Sequence, residues 1–243
     1  MRLPLHLRKR TRDPVRIHAV KRILREGRVS TVCEEALCPN LGECFSEPTA
    51  TFLILGDVCT RQCAFCAVSQ GKPGPPDPEE PRRVAEVAQR LGLAHIVLTS
   101  VTRDDLSDGG ARQFAETVRE IRKGFLKIAP SPWPPPRGGR EKGRGVTIEV
   151  LTPDFQGDME CVDRIITEGV DIFNHNLETV PRLYPEIRPQ ASYGVSISLL
   201  EGAKRVFPHV LTKSGIMLGL GEKRDEVIQV MEDLRSIECD ILT

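Results

Sequence analysis

The sequence is poor in aromatic residues, carries no net charge and contains no long apolar run. Aromatic residues make up 5% of its 243 residues, whereas apolar residues make up 40%, which is enough for an aliphatic core. Because no apolar run reaches the roughly 18 residues of a transmembrane helix, we expect no membrane span. The 34 basic and 34 acidic residues cancel, so charge does not indicate nucleic acid and none is expected as a partner. The length suits one domain of α/β-barrel size.

The N-terminal segment lacks the features of a secretory signal. Residues 1–10 (MRLPLHLRKR) are basic, and they contain neither an apolar core nor a cleavage site. A reducing compartment also suits cysteines that are kept as thiolates for metal. We therefore expect a cytoplasmic location.

Cysteine is the most informative residue type in the chain. Six of the eight cysteines form a first triplet with the spacing C-x4-C-x5-C and a second triplet with the spacing C-x3-C-x2-C. The triplets are Cys33, Cys38, Cys44 and Cys59, Cys63, Cys66. Iron–sulfur clusters take thiolate ligands, and three thiolates leave one iron open for another ligand. The spacing predicts two clusters, at least one with a position open for chemistry.

Two other uses of these cysteines remain open on spacing alone. Six cysteines can form disulfides, although nothing marks the chain as secreted. Structural zinc takes four ligands and often two C-x2-C pairs, whereas the second triplet has one such pair and no histidine lies between Cys33 and Cys66. Cys161 and Cys239 stand alone, and we expect both to be inert buried thiols.

Apolar runs and helical periodicities alternate after residue 50. Helical patterns lie at 84–91, 114–121 and 227–234. The predicted strands are 51–56, 95–99, 146–151, one beginning at 171, one over 216–219, and 239–243. Repeated strand–helix units give a parallel sheet with helical crossovers. Six units predict an α/β fold: a partial (βα)6 TIM-like barrel over residues 51–243, with an N-terminal cluster-binding extension over residues 1–50.

One segment interrupts this alternation. Residues 123–145 (KGFLKIAPSPWPPPRGGREKGRG) are rich in proline and basic residues, and they separate a helix from the strand that it should feed. Such connections normally have about two to six residues. We expect a disordered surface insertion, with a basic docking arm for a partner as the alternative.

Polar residues collect just after the predicted strands. Asp104-Asp105, His175–Glu178 and Gly219–Glu222 each follow a strand, as does the second triplet. In parallel α/β folds the carboxyl ends of the strands carry the site. We therefore expect these residues to lie at one edge of the sheet.

The block around the second triplet resembles radical S-adenosylmethionine enzymes. Residues 56–66 (GDVCTRQCAFC) carry their C-x3-C-x2-C signature directly after the first barrel strand, with an aromatic residue before the last cysteine. Six further blocks resemble lipoyl synthases: 33–44 (CEEALCPNLGEC), 99–110 (TSVTRDDLSDGG), 149–157 (EVLTPDFQG), 173–184 (FNHNLETVPRLY), 212–222 (TKSGIMLGLGE) and 240–243 (DILT). With these blocks in order from about residue 30 onward, the chain is identified as a member of that family.

The chain departs from the family pattern in three places. Thr102 stands where the family has aspartate, and the proline-rich insertion is foreign to it. The family also continues into an Arg-Ser-Ser-Tyr motif, one serine of which is the fourth ligand of an auxiliary cluster, whereas this sequence ends at Thr243. On the sequence alone we expect an auxiliary cluster with three protein ligands and an open iron. The alternative is a truncated form that cleaves S-adenosylmethionine without completing sulfur insertion.

The resemblance implies a sulfurtransferase. Lipoyl synthases insert two sulfur atoms at C6 and C8 of an octanoyl group attached to a lysine of a lipoyl carrier domain. These carbons are unactivated, so a cofactor must supply a radical. By resemblance, the second triplet holds the [4Fe–4S] cluster that binds S-adenosylmethionine and cleaves it to a 5′-deoxyadenosyl radical. The first triplet holds an auxiliary [4Fe–4S] cluster that is consumed as the sulfur donor.

The remaining cofactor contacts are assigned by resemblance and by position. Gly215, Met217, Gly219 and Glu222 match a pattern that lines the adenine pocket in the superfamily. Glycine permits close backbone approach there, and a tight turn after a strand is the alternative.

Two further groups of polar residues are candidates for the rest of the cofactor. Asn174, Asn176 and Glu178 alternate along one predicted strand, so they share a face that suits ribose or methionine binding. A hydrogen-bonded network at the barrel rim is the alternative. Thr99 and Ser100 are candidates for contacts to the methionine amino group.

Nearby charged residues are expected to be structural. His175 falls on the opposite face from Asn174 and Asn176. Asp104 and Asp105 resemble an acid/base pair, but hydrogen abstraction by a radical needs none. Capping and salt bridges at the rim are expected for them.

The implied partners are a substrate protein and a reductant. The substrate is an octanoylated lipoyl carrier protein, either a dehydrogenase E2 lipoyl domain or the glycine cleavage H protein, and the reductant is a flavodoxin or ferredoxin. Two rival functions remain. A methylthiotransferase shares the second triplet but not the C-P-N-x-x-E-C block, and a non-catalytic electron carrier needs neither the barrel nor a nucleoside pocket.

Overall fold

The centre of the fold is a seven-stranded sheet. The computed structural model describes residues 14–35, 41–45, 47–125 and 145–243. Its strands are β1 (Ser30–Thr31), β2 (Thr49–Ile54), β3 (Val58–Cys59), β4 (Ser69–Gln70), β5 (His95–Ser100), β6 (Thr147–Leu151), β7 (Ile172–Asn174), β8 (Leu211–Ser214) and β9 (Ile241–Leu242). The sheet order is β1-β2-β5-β6-β7-β8-β9, and β3 pairs separately with β4. β1 is antiparallel to β2, and all other neighbours in the large sheet are parallel.

Helices connect the parallel strands. They are α1 (Pro14–Gly27), α2 (Val32–Glu35), α3 (Leu41–Cys44), α4 (Glu80–Arg90), α5 (Ala111–Phe125), α6 (Met159–Ile166), α7 (Tyr184–Ile187), α8 (Tyr193–Val206) and α9 (Arg224–Ser236). Short 3-10 turns lie at Phe155–Gly157 and Pro181–Leu183. Each step between consecutive parallel strands contains at least one of the helices α4, α5, α6, α8 and α9. The predicted partial (βα)6 TIM-like barrel is confirmed.

The core lies between the sheet and its helices. Ile96 and Leu98 of β5 are fully buried, whereas Val97 between them is only partly buried. Successive side chains of a strand point to opposite faces, so one face of β5 packs on the helices. On α5, Val118 and Ile121 are fully buried, three residues apart on one helix face.

The predicted fifth strand is wrong. The strand is β8, Leu211–Ser214, and the predicted range 216–219 follows it, with a single bridge between Ile216 and Glu178. The strand lacks an apolar run because Thr212 and Ser214 are buried polar residues and Lys213 pairs with a carboxylate. A strand prediction that relies on apolar runs therefore misses β8 and selects the segment that follows it.

The segments next to the barrel differ in part from the prediction. β2 begins at Thr49, and β1 and α1 add to the barrel because β1 pairs with β2 and α1 packs against α4. Helix α5 extends through Phe125, so the first three residues of the predicted insertion are helical, and residues 126–144 lie outside the described ranges. Across the described helices, none combines the length and apolarity needed to cross a bilayer.

Candidate active site

The second triplet lies on a loop at the carboxyl end of β2. We call residues 55–71 the cysteine loop. Its ends are joined by the β3–β4 pair and by a hydrogen bond from Gly71 N–H to the Cys59 carbonyl (2.9 Å). Cys59 and Cys63 are half-buried, Cys66 is exposed, and all three are free thiols. The loop thus presents three available sulfurs at the edge where the sequence predicts the site.

A strained turn begins the cysteine loop. Leu55 and Gly56 have φ values of 68° and 91°, in the left-handed region that L-residues disfavour. The turn is fixed because Leu55 N–H donates to Glu80 Oε2 (2.9 Å) and Arg103 Nη1 donates to the Leu55 carbonyl (3.3 Å). Gly110 makes room for the Leu55 side chain, since a Cβ there would lie 2.3 Å from Leu55 Cδ1.

A buried arginine ties the cysteine loop to two neighbouring strands. Arg61 lies between Cys59 and Cys63 and is 6% exposed. Its guanidinium donates two hydrogen bonds to Asp154, both 2.7 Å, and two to Asp104, at 2.7 and 2.9 Å. Burial alone favours the neutral acid, but the Arg61 bonds outweigh burial and lower the pKa of Asp154. Asp104 is therefore a rim ion pair, as expected from the sequence, and Asp105 likewise pairs with Arg103.

The sulfur of Cys59 accepts backbone hydrogen bonds. Arg61 N–H and Thr102 N–H lie 3.4 and 3.3 Å from Cys59 Sγ. The Thr60 hydroxyl and N–H both donate to the Thr102 carbonyl, at 3.0 and 3.1 Å. Amide donors to sulfur are among the features that tune iron–sulfur clusters, so this environment fits a cluster thiolate.

Cys63 lies beside a positive charge. Burial raises the pKa of the Cys63 thiol, and the Arg188 guanidinium is the strongest influence opposing that rise. The loop is attached on this side as well, because Ala64 N–H donates to the Ile187 carbonyl at 3.0 Å. A cation near a half-buried sulfur favours its thiolate form, which is the form that binds iron.

Thr99 and Ser100, at the end of β5, differ in whether their hydroxyl groups already have a hydrogen-bond partner. Thr99 donates its hydroxyl to the Leu151 carbonyl (2.9 Å). The Ser100 Oγ is buried and has no hydrogen-bond partner within the described part of the chain. Ser100 is thus the better placed of the two to contact a polar ligand.

The predicted group at the end of β7 comes together with the predicted group after β8. Asn176 Nδ2 donates to Glu178 Oε1 (3.1 Å), and a Cβ on Gly215 would lie 2.8 Å from Asn176 Oδ1. Glu178 N–H donates to the Gly215 carbonyl (2.9 Å), and Met217 N–H donates to the Glu178 carbonyl (2.8 Å). Burial raises the pKa of Glu178. These four residues form one hydrogen-bonded cluster, which we call the β7–β8 cluster.

The prediction that Asn174, Asn176 and Glu178 share a single strand is wrong. β7 ends at Asn174, and Glu178 has a φ of 66°. The regular alternation therefore stops at the strand end, and backbone bonds to the segment after β8 place Glu178 instead.

Sequence reasoning missed a charged cluster on the concave face of the sheet. Glu149, buried in β6, accepts from Asn174 Nδ2 (2.7 Å) and from Lys213 Nζ (2.9 Å), and lies 3.5 Å from His95 Nε2. Burial opposes ionisation, but these three partners outweigh it and lower the pKa of Glu149 to about 2. The sequence feature that could have indicated this cluster is Glu149, a glutamate within the largely apolar strand β6. Asn174 Oδ1 is buried with no partner in the described residues.

Gly219 and Glu222 form a self-contained turn. Gly219 has a φ of 99°, and the Glu222 carboxylate accepts from Gly219 N–H and Leu220 N–H. Hydrogen bonds from the backbone of this turn lower the pKa of Glu222. These two residues therefore lie in a tight turn, and their contact with a ligand stays a prediction.

The first triplet is described in part. Cys33 is buried in α2 and Cys44 is half-buried at the end of α3, and these two short helices pack together. Cys38 lies outside the described residues. Two thiols of the first triplet therefore lie on neighbouring helices, α2 and α3.

His175 and Cys161 are buried as expected, whereas Cys239 is half-buried rather than buried. His175 is buried, and its ring nitrogens bond the Thr152 carbonyl and Ser196 Oγ, both at 2.9 Å. Burial lowers the pKa of His175 to about 4, so it is neutral near pH 7. Burial also raises the pKa of Cys239 and raises that of Cys161 to about 12. A raised pKa disfavours the thiolate, which is the reactive form of cysteine.

The donor set distinguishes between the three uses of the cysteines. The seven described cysteines are free, which excludes disulfides among them. Within the described ranges, no three His, Cys, Asp or Glu side chains gather around a point that would hold one ion. Three thiolates on one loop, with no histidine among them, suit a [4Fe–4S] cluster, which takes its thiolates on different irons. The residues of the second triplet fit a cluster, and the unpartnered Ser100 Oγ and Asn174 Oδ1, at the carboxyl ends of β5 and β7, fit a polar ligand.

Comparison with known proteins identifies the family. The Radical SAM superfamily profile matches residues 53–234. A lipoyl synthase of Caldanaerobacter subterraneus subsp. tengcongensis is 52% identical over 227 residues, which cover 93% of this chain and 73% of that protein. A lipoyl synthase of Rubrobacter xylanophilus is 49% identical over 240 residues, which cover 99% and 69%. These relatives favour the lipoyl synthase interpretation over the other functions considered from the sequence.

Solved structures share the fold. Methylornithine synthase superposes with a TM-score of 0.57 at 15% identity, over 80% of this chain and 51% of its own. HydG, a maturase of the [FeFe]-hydrogenase, superposes with a TM-score of 0.56 at 14% identity, over 92% and 54%. Sequence relatives, superfamily profile and site geometry agree, and the chain belongs to the lipoyl synthase family of radical S-adenosylmethionine sulfurtransferases.

Proposed function

We propose residue roles for the insertion of two sulfur atoms at C6 and C8 of a carrier-bound octanoyl group. Cys59, Cys63 and Cys66 hold the [4Fe–4S] cluster that binds S-adenosylmethionine, and the first triplet holds the auxiliary cluster. The observation that carries this proposal is the cysteine loop: three free thiols lie on one closed loop, at the carboxyl edge of a parallel sheet, with amide donors on one sulfur.

The residues of the chain bind and orient, and the cofactors carry the chemistry. When bound, the reduced cluster and S-adenosylmethionine supply the radical chemistry that removes hydrogen from unactivated carbons. Ser100 Oγ and Asn174 Oδ1 offer unused hydrogen-bonding capacity for the amino acid part of the ligand. Glu149, which is paired with Lys213, accepts a hydrogen bond from the Asn174 side-chain nitrogen, so the free oxygen of Asn174 keeps one orientation.

The β7–β8 cluster suits the nucleoside. Asn176 and Glu178 present an amide and a carboxylate that can bond vicinal hydroxyls of a ribose. Gly215 leaves the space that a Cβ would fill, and Met217 is held beside Glu178 by a backbone hydrogen bond. We propose that Gly219 and Glu222, in the hydrogen-bonded turn that follows Met217, lie at the adenine.

The partners follow from the reaction. The substrate is an octanoylated lipoyl carrier protein, either a dehydrogenase E2 lipoyl domain or the glycine cleavage H protein, and a flavodoxin or ferredoxin supplies electrons. The name of the curated relatives supports a lipoyl substrate. The free state of the described cysteines suits a reducing compartment, in agreement with a cytoplasmic location.

Cysteine substitutions test the ligand roles. Anaerobically reconstituted wild type should contain two clusters by Mössbauer spectroscopy and should form 5′-deoxyadenosine with S-adenosylmethionine and dithionite. Cys63→Ala should lose one cluster and all 5′-deoxyadenosine, whereas Cys44→Ala should lose the other cluster and retain 5′-deoxyadenosine. Cys161→Ala, at a buried thiol outside both triplets, is the matched control and should keep both clusters. Two intact clusters in Cys63→Ala would refute the assignment.

A further inference from the structure

Arg188 is a buried cation with neutral partners. It is 8% exposed, and its Nη1 donates to the carbonyls of Asn176 and Leu177, at 2.9 and 3.0 Å, and to the Tyr184 hydroxyl, at 3.3 Å. The guanidinium carbon also lies 5.3 Å from the centre of the Tyr184 ring. These contacts solvate the cation without neutralising it.

The other two buried arginines of this region are paired. Arg61 bonds two aspartates and Arg103 bonds Asp105, whereas Arg188 has no carboxylate within 4.0 Å among the described residues. Its Nε is also buried without an acceptor in the described part. A buried charge without a paired carboxylate is costly, and Arg188 acts on the Glu178 carboxylate only from beyond ion-pair distance, so its surroundings suit a further anion.

The position of Arg188 identifies that anion. The residues on either side of Cys63 bind the residues on either side of Arg188. These contacts are Gln62 N–H to Gln190 Oε1 at 2.9 Å and Ala64 N–H to the Ile187 carbonyl at 3.0 Å. The two segments are therefore held side by side, and the Arg188 charge acts on the Cys63 sulfur between these contacts. A thiolate-bound cluster on this loop is an anion that the reaction provides beside these two segments.

We propose that Arg188 is the counter-charge of the cluster held through Cys63 and sets its reduction potential. This rests on the proposed role of Cys63 as a ligand. Reduction transfers one electron from an external donor to the cluster; no bond forms or breaks, and the site gains one negative charge. A fixed cation in a buried site lowers the energy of the reduced state more than that of the oxidised state. Arg188 is thus a positioning charge that makes the cluster easier to reduce.

A potential titration tests this role. The reconstituted holoenzyme is titrated without S-adenosylmethionine, and the reduced-cluster EPR signal that later responds to S-adenosylmethionine is followed. Arg188→Gln, which keeps hydrogen-bond donors but no charge, should shift the midpoint to more negative potential by at least a tenfold change in the reduction equilibrium, or 59 mV for one electron. Arg188→Lys, which keeps the charge, should shift it less. Arg122→Gln is the matched control, because Arg122 pairs with Asp171 at the opposite edge of the sheet.

Each outcome decides the proposal. A wild-type midpoint in Arg188→Gln overturns it, even if the affinity for S-adenosylmethionine falls, since that result would assign the charge to the ligand instead. If Arg188→Gln does not fold, Arg188→Met offers a second neutral side chain of similar length for the same measurement. Loss of the responsive EPR signal in Cys63→Ala supports the ligand role on which the proposal rests. Persistence of that signal would refute the ligand role separately, whatever the Arg188 variants show.

Discussion

Replacement of Arg61 by methionine should destabilise the protein by about 3 kcal/mol. Arg61 is the only partner in the described structure that neutralises Asp154, which is 3% exposed. Breaking a buried ion pair by removing one partner costs about 3–5 kcal/mol, because it leaves a buried charge unpaired. The lower end applies here, since Asp154 keeps the Gln156 N–H as a donor at 3.0 Å. Asp104, whose side chain is 32% exposed, adds about 1 kcal/mol or less.

The double variant Arg61→Met/Asp154→Asn isolates the cause. Asparagine keeps the acceptor for Gln156 N–H but removes the stranded charge, so the double variant should recover about 2 kcal/mol of the loss. Urea unfolding of the cluster-free chain at pH 7.5 measures both values, because unfolding is then not coupled to release of iron. A loss under about 1 kcal/mol in Arg61→Met, or a double variant no more stable than the single one, would contradict this reasoning.

The pH dependence of the Arg61→Met variant gives an independent check. In the wild type, Arg61 lowers the pKa of Asp154, so the pair stabilises the fold above the ordinary pKa of aspartate, and this stabilisation is lost as the pH falls through the lowered value. In Arg61→Met the unpaired carboxylate is relieved when it takes up a proton. The difference in unfolding free energy between wild type and variant should therefore shrink from pH 7.5 to pH 4.5, and a constant difference would refute this account.

Three further outcomes are expected. Because burial lowers the pKa of His175 to about 4, the fold should lose up to about 3 kcal/mol as the pH falls from 6.5 to 4, and His175→Gln should remove that slope in urea unfolding. Gly110→Ala should destabilise the chain by about 1–3 kcal/mol more than Gly56→Ala in the same assay; both have positive φ, but only the Gly110 Cβ meets Leu55. Cys161→Ser should leave the iron content of reconstituted protein unchanged, and loss of a cluster would show that this thiol is a ligand.

The parts of the fold with strong local patterns could be predicted from the sequence. β5 is an apolar run between turns, and α5 has apolar residues on one face, so both elements follow from periodicity. β8 could not be found in this way because Lys213 compensates for the buried Glu149, a partner 64 residues earlier in the chain. The pairing of two charges across an intervening strand leaves no mark in either local pattern.

In the site, too, local sequence predicts some features, whereas others depend on residues far away in the chain. The cysteine spacing indicates a cluster loop because the ligands are close in sequence. The residues that hold the loop are far from it in the sequence. Arg61 binds Asp154, which lies 93 residues later in the chain. The segment of Arg188 is held beside that of Cys63 by hydrogen bonds between neighbouring residues. Glu178 also departs from prediction because a backbone with φ of 66° ends the strand alternation. Local sequence thus specifies the ligands, and long-range charge pairing specifies their support.

The most direct test of the central claim is a single-turnover product analysis. Reconstituted protein is incubated anaerobically with S-adenosylmethionine, dithionite and an octanoylated carrier peptide, and 5′-deoxyadenosine and the lipoyl product are measured together by mass spectrometry. A lipoyl synthase whose second triplet holds the reducing cluster should form both products in wild type and neither in Cys63→Ala. Absence of both from wild-type protein that contains two clusters, or equal amounts from Cys63→Ala, would contradict the account.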